Sequence, residues 1–170
     1  RGGAMVRGPA GVVSGRSEQR EQDMSRIVAV TGAAGALGGK TADVLAGAGW
    51  TVVGIDLAQT VADSAALNLG GVDLTDEIAL AQVADRIESR FGKLDGLVNI
   101  AGGFRWETIV DGDVATWDRL YAMNVKTTLV TTRALEPLLR ASQGSIVNIG
   151  AAASVKAAMG MGAYAASKAG

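Results

Sequence analysis

Tyr164 and Lys168 stand four residues apart in Tyr164-Ala-Ala-Ser-Lys168, a spacing that sets both side chains on one face of a helix. A phenol that titrates near pH ~10 is a poor proton carrier at neutrality, but a neighbouring ammonium favours the phenolate. The pair therefore reads as an acid–base device that exchanges a proton with a substrate oxygen. A solvent-facing Tyr and Lys on one helix is the plain alternative; the position of the pair, one loop beyond the last β-branched apolar run, favours the chemical reading. Composition narrows the chemistry further. The 170 residues include neither His nor Cys. That removes Ser-His-Asp triads, thiolate nucleophiles, disulfides and the common zinc sites, and leaves Tyr, Lys, Ser and carboxylates to move protons.

A second constellation lies near the start of the regular pattern, in Thr31-Gly-Ala-Ala-Gly-Ala-Leu-Gly38. Gly32, Gly35 and Gly38 permit positive φ and let an anion approach bare backbone at a helix start, where unpaired N–H groups and the helix dipole attract phosphate. Close packing alone also uses glycines, so context has to decide. The turn follows an apolar run, opens a helical stretch, and is followed 24 residues after Gly32 by Asp56, at the end of the next run. A carboxylate there accepts hydrogen bonds from both hydroxyls of an adenosine ribose and repels a 2′-phosphate. The expected cofactor is accordingly NAD rather than NADP, the alternative being an Asp that merely opens a turn.

These residues need a scaffold, and the hydrophobic pattern supplies one. Short β-branched runs predict strands at Ile27 to Val30, Thr51 to Ile55, Leu67 to Val72, Leu94 to Asn99 and Ser145 to Ile149. Between them, helical periodicity predicts helices at Ala36 to Ala48, Asp76 to Phe91 and Asp113 to Ala141, the last broken in its middle. Strand and helix in alternation imply right-handed βαβ units, hence an α/β fold with a doubly wound parallel sheet covered by helices on both faces. Ligands bind such sheets beyond the carboxyl ends of the strands. The glycine turn and Asp56 both fall there.

In this setting residues 26 to 170 resemble the short-chain dehydrogenase/reductase family, whose motif T-G-x-x-x-[AG]-x-G is matched at residues 31 to 38 with Ala36 as the permitted alternative. The resemblance implies a Rossmann-type sheet lacking its last strands. It assigns cofactor contacts to Thr31, Gly32, Gly35, Ala36, Leu37 and Gly38, to Asp56, and to Asp73 and Leu74 on the adenine side. It also assigns them to Asn99, Ala101 and Gly102 in Asn99-Ile-Ala-Gly102, where Ile100 replaces the family's second Asn. Tyr164 becomes the proton donor and acceptor, with Lys168 also holding the nicotinamide ribose. Asn124, 40 residues before Tyr164, corresponds to a helix Asn that holds a water in the proton relay; a buried structural Asn is the other reading.

One position departs from the family. Its catalytic Ser is expected 13 residues before Tyr164, where this chain has Ala151, and losing one such donor costs on the order of 10² to 10³ in rate. Ser154, three residues on, is a candidate replacement. The dihydropteridine reductase branch also lacks this Ser, and Gly35-Ala-Leu-Gly38, Ala101-Gly-Gly-Phe104, Gly150-Ala151 and Gly160-Met161 are similar to it. The resemblance thus implies hydride transfer between nicotinamide and a carbonyl/alcohol or quinonoid substrate, with a 3-oxoacyl thioester as another substrate class. An impaired nucleotide-binding sensor is the alternative. Phe104, Arg105 and Trp106 either line the substrate pocket or form a surface loop.

Net charge of −1 and the absence of a Lys/Arg cluster argue against a nucleic-acid partner. No uncharged apolar run reaches the roughly 18 residues of a membrane span, and the lack of Cys suits the cytoplasm. The expected partners are a small-molecule substrate and, in the full-length form, further copies of the chain. Residues 1 to 23, rich in Gly and Arg without periodicity, are expected to be a disordered leader preceding Met24 and the nucleotide-binding domain of residues 24 to 170. The ending at Gly170, two residues after Lys168, leads to the expectation of a chain truncated at its C-terminus, with an open sheet edge and weak turnover.

Overall fold

The β-branched runs become five parallel strands: β1 (Arg26–Thr31), β2 (Trp50–Ile55), β3 (Leu67–Leu69), β4 (Gly96–Asn99) and β5 (Ser145–Asn148), in spatial order β3-β2-β1-β4-β5. The structure, a computed structural model, describes residues 25–170. The expected leader and the start at Met24 lie outside the described residues. Order reverses between β1 and its two neighbours, β2 and β4, so the switch point of this doubly wound sheet lies at the carboxyl end of β1.

Alternation along β1 divides the core. Ile27 and Ala29 face one layer with Val53, Ile55, Leu69 and Leu97, whereas Val28 and Val30 face the other with Val52 and Val61. Helix α1 (Ala36–Gly47) covers the second layer through Ala42. Helix α2 (Glu77–Phe91) covers the first with Leu80, Val83 and Ile87, recurring at helical spacing. Asp76 caps α2, its Oδ1 accepting from the N–H groups of Ile78 at 2.8 Å and Ala79 at 3.3 Å. Helix α3 (Val114–Tyr121) runs through a π-helical turn (Ala122–Lys126) into α4 (Thr127–Ser142), whose Leu135, Leu138 and Leu139 complete the first layer. A 3₁₀ turn (Ala152–Ser154) and α5 (Gly162–Ala169) follow, with α5 packed against α3.

Beyond shifts of one residue at other ends, two boundaries and one break have a local reason. The run expected to extend to Val72 stops at Leu69 because Gly71 adopts φ +75° and turns the chain out of the sheet. β4 starts at Gly96 rather than Leu94 because Asp95 pairs with Ile27 outside the regular ladder: its N–H donates to the Ile27 carbonyl and its Oδ2 accepts the Ile27 N–H, each at 2.8 Å. The break expected within residues 113 to 141 is the π turn, an extra residue per turn inserted between α3 and α4.

Among the described residues β5 is the outer strand on its side of the sheet. Its Ile146 and Val147 are 41% and 51% exposed. Among the described residues no helix is long and apolar enough to cross a membrane.

Candidate functional site

β1 ends in Thr31, whose hydroxyl Oγ1 accepts the N–H groups of Ile100 at 3.0 Å and Ala101 at 3.2 Å. These two bonds lock the ends of β1 and β4 together and shape the crevice between them. Gly32 follows with φ +69°, and a Cβ there would lie 2.9 Å from the Ala101 nitrogen. A Cβ on Gly38 would collide with the Gly32 carbonyl, so α1 enters the turn more closely than any other residue allows. Among the described residues no side chain caps α1, and no acidic residue occupies its first turn. In α2 and α3 that place is taken by Asp76 and Asp113. The first N–H groups of α1 are thus left to water or to an anion.

The turn forms one wall of a cleft of about 780 Å³, within the usual size for a small-molecule site. Gly32, Gly35, Ala36, Leu37 and Gly38 line it, as do Asp56, Asp73, Leu74, Ala101 and Gly102. Asp56 is held by two backbone donors: Oδ2 accepts from Ala34 in the glycine turn and Oδ1 from Ala58, both at 2.9 Å. Each oxygen keeps a second lone pair for a ligand hydroxyl. Asp73 Oδ1 accepts the Thr75 N–H and hydroxyl, both at 2.8 Å. Those two bonds, the backbone one first, hold its pKa below the ordinary aspartate value, with the charge of Lys126 adding to them.

The second constellation lies around the start of α5. Tyr164 meets the Phe104 ring edge-on at 4.9 Å between centroids. Lys168 Nζ donates to the Ile149 carbonyl at 3.0 Å, and burial pushes its pKa below the ordinary lysine value. Asn124, buried in the π turn, accepts the Gly103 N–H through Oδ1 at 2.8 Å. Its Nδ2 donates to the Gly103 carbonyl at 3.0 Å and to Ser167 Oγ at 2.9 Å. Ser167 in turn donates to the Tyr164 carbonyl at 2.8 Å. One amide thereby fastens the loop after β4 to the helix that carries Tyr164 and Lys168.

Not every expected residue reaches the cleft. Thr31 and Asn99 stand behind its wall, Asn124 and Lys168 line a separate hollow of about 450 Å³ beside Asn148 and Ile149, and Tyr164 lines neither. Asn99 is 3% exposed, and its Nδ2 donates to Asn148 Oδ1 at 2.9 Å and Thr132 Oγ1 at 3.2 Å, tying β4 to β5 and α4. Ile100, which replaces the family's second Asn, lines the cleft in place of Asn99. Ser154 does not stand in for the hydroxyl absent at Ala151, because its Oγ donates to the Ala151 carbonyl at 2.6 Å. Of the loop after β4, Phe104 belongs to the site through Tyr164. Trp106 and Glu107 instead fasten that loop to the turn before α5, through the Met159 carbonyl at 3.1 Å and the Gly160 carbonyl at 2.9 Å. The sequence reading missed Leu57 and Thr75, next to Asp56 and Asp73 and findable as strand-end neighbours. It also missed Arg119, Met123 and Thr127, which line the cleft from α3, the π turn and α4; nothing in their local sequence marks them.

Known proteins are similar to this chain in sequence and fold. The chain matches the family model for short chain dehydrogenase over residues 26–170. It is 32% identical to 2-(S)-hydroxypropyl-CoM dehydrogenase 3 of Xanthobacter autotrophicus, with 85% of this chain and 60% of that protein covered. To D-threitol dehydrogenase of Mycolicibacterium smegmatis it is also 32% identical, over 84% of this chain and 59% of the relative. The chain thus spans about three fifths of the length of these curated relatives. A short-chain dehydrogenase from Streptomyces avermitilis, of known crystal structure, superposes with a TM-score of 0.77 at 29% identity, over 85% of this chain and 56% of that one. With its parallel sheet, its glycine turn and a family match across all but one of the described residues, the chain belongs to the short-chain dehydrogenase family.

Proposed function

We propose that this chain carries the cofactor-binding and proton-transfer parts of an NAD(H)-dependent oxidoreductase that interconverts a carbonyl and an alcohol. The observation that carries this reading is the anchored Asp56 carboxylate beside an uncapped glycine turn, in a single cleft. The residues fit a dinucleotide: bare N–H groups for the pyrophosphate, Asp56 for the adenosine ribose, and Asp73 and Leu74 beside the adenine. A fixed negative charge at Asp56 disfavours a 2′-phosphate, which supports NAD over NADP.

When bound, the nicotinamide would accept or supply the hydride. The chain's own residues handle the rest. Tyr164 takes the hydroxyl proton as an alcohol is oxidised and returns it to the oxygen as a carbonyl is reduced. Lys168 keeps a positive charge near that exchange and favours the phenolate. Asn124 holds the Gly103 loop and the Ser167 turn in register, so that the two sides of the site stay aligned. The names of the relatives, a hydroxypropyl-CoM and a threitol dehydrogenase, support a carbonyl/alcohol pair over a quinonoid substrate. A second reading, binding without turnover as in a sensor, is favoured by one observation: Ala151 offers no hydroxyl to the substrate oxygen.

Titration of the full-length protein with NADH and NADPH, followed by nucleotide fluorescence, tests the cofactor. NADH is expected to bind about tenfold or more tightly, and equal affinities would overturn the preference. NADH oxidation by a panel of ketones tests the chemistry. Tyr164→Phe should abolish turnover while leaving NADH binding intact; a fully active variant overturns the proton-transfer role. Tight NADH binding with no turnover on any ketone would establish the sensor reading.

A further inference from the structure

The charges of the cleft do not balance for the ligand proposed. A dinucleotide brings two negative charges on its pyrophosphate into a space already lined by Asp56 and Asp73. The glycine turn, Thr31 to Gly38, contains no Lys or Arg, so that side offers only backbone N–H groups and a helix dipole equivalent to about half a charge. Of the residues lining the cleft, Arg119 is the one cation, and it stands on α3, in the wall formed with Ala122 and Met123. The guanidinium is uncommitted. Among the described residues its one hydrogen bond is a long one, 3.4 Å from Nη2 to Thr116 Oγ1, and no carboxylate lies within ion-pair distance. The two carboxylates, by contrast, are already engaged by backbone donors, and Lys126 lends its charge to Asp73.

Resting on the nucleotide reading above, we propose that Arg119 is the counter-ion of the bound cofactor's pyrophosphate, contributed by the helix wall rather than by the glycine turn. A planar guanidinium suits this task because it donates to two phosphate oxygens at once. Arg119 lies five residues before Asn124 on a continuous helical stretch. The contact therefore ties the cofactor to the same segment that fastens the Gly103 loop.

The test is equilibrium binding to the full-length protein, with NADH, NADPH, ADP-ribose and adenosine as probes. Arg119→Gln should weaken NADH and ADP-ribose by about three- to tenfold, the scale of an exposed charge-assisted contact. Adenosine, which has no phosphate, should be unaffected. Increasing salt should weaken NADH binding to the wild type more steeply than to the variant. Arg119→Lys should retain most of the affinity, and Arg119→Met, which keeps the aliphatic stem, should repeat the loss if the Gln variant folds poorly. Three results overturn the proposal. One is unchanged NADH and ADP-ribose affinity in both neutral variants. Another is an equal loss for adenosine, which would make Arg119 an adenine-stacking residue. The third is a loss confined to NADPH, which would make it a 2′-phosphate reader. Failure of the wild type to bind NADH at all would instead sink the nucleotide reading, and this inference with it.

Discussion

Asn124 closes both hydrogen bonds of the Gly103 residue, accepting its N–H at 2.8 Å and donating to its carbonyl at 3.0 Å, while its second amide hydrogen reaches Ser167. A side chain that mimics a strand partner in this way is replaceable by nothing else of its size. Asn124→Leu should leave the Gly103 groups and the Ser167 hydroxyl without their partner, costing about 2–4 kcal/mol and lowering the melting temperature by several degrees. Asn124→Asp keeps the acceptor but loses both donors, so it should fall between. Thermal unfolding of the full-length protein checks this, with turnover measured alongside. A Leu variant as stable as wild type would show that the amide is not the fastening.

At the glycine turn, two close approaches give a graded expectation. Gly32→Ala combines strain at φ +69° with contact on the Ala101 backbone, costing about 1–3 kcal/mol. Gly38→Ala drives its Cβ into the Gly32 carbonyl, so the turn must open where the pyrophosphate would sit. NADH affinity is expected to drop more than tenfold in the second variant. Binding isotherms of the two purified variants decide the order.

Much of this was legible in the sequence, and what was not has a common cause. The alternation of Ile27 and Ala29 against Val28 and Val30 encodes a strand buried on both faces, and the bare turn after Thr31 encodes the crevice. The pattern also showed a break between Asp113 and Ala141, although not that a π turn makes it. Strand parity was not readable at the end of β4. Asn99 therefore turns out to brace β5, and Ile100 meets the cleft. Arg119 was invisible because its significance depends on which wall α3 forms, a fact of tertiary packing and not of local pattern.

Lys168 supplies a pH dependence. Burial lowers its folded pKa below the unfolded value of 10.5, so between those two values the unfolded chain binds more protons than the native one. Stability should therefore rise with pH across that window, and the penalty is fully present below the folded pKa. Lys168→Met removes the penalty. Near neutral pH the variant should gain stability relative to wild type while losing turnover, and the stability gap should narrow as pH approaches 10.5. Melting temperatures of both proteins from pH ~7 to ~10 check the sign; a gap that widens with pH refutes it.

Asp56 separates charge from anchoring. Asp56→Asn keeps an oxygen able to accept the Ala34 N–H but removes the negative charge. NADPH affinity should improve by about tenfold or more while NADH changes little. Asp56→Ala loses the anchor as well, so both nucleotides should bind more weakly. If Asn and Ala behave alike, the carboxylate acts by holding the turn and not by repelling a 2′-phosphate.

Ala151 offers the sharpest separation of binding from catalysis. Its backbone is extended, φ −148° and ψ 150°, a conformation serine adopts without strain. The nearby Ser154 hydroxyl is already committed to the Ala151 carbonyl, so a hydroxyl introduced at residue 151 would add a donor and not duplicate one. If the chain reduces simple ketones, Ala151→Ser should raise kcat by about tenfold or more, toward the 10² to 10³ that one oxyanion donor supplies, and leave the NADH affinity unchanged. Ser154→Ala should leave kcat where it was. A chain whose substrate needs no such donor responds differently: Ala151→Ser leaves its kcat unchanged or lowers it, and the substrate class then lies outside simple ketones. Steady-state kinetics on wild type and both variants, with NADH binding measured in parallel, distinguish the two outcomes.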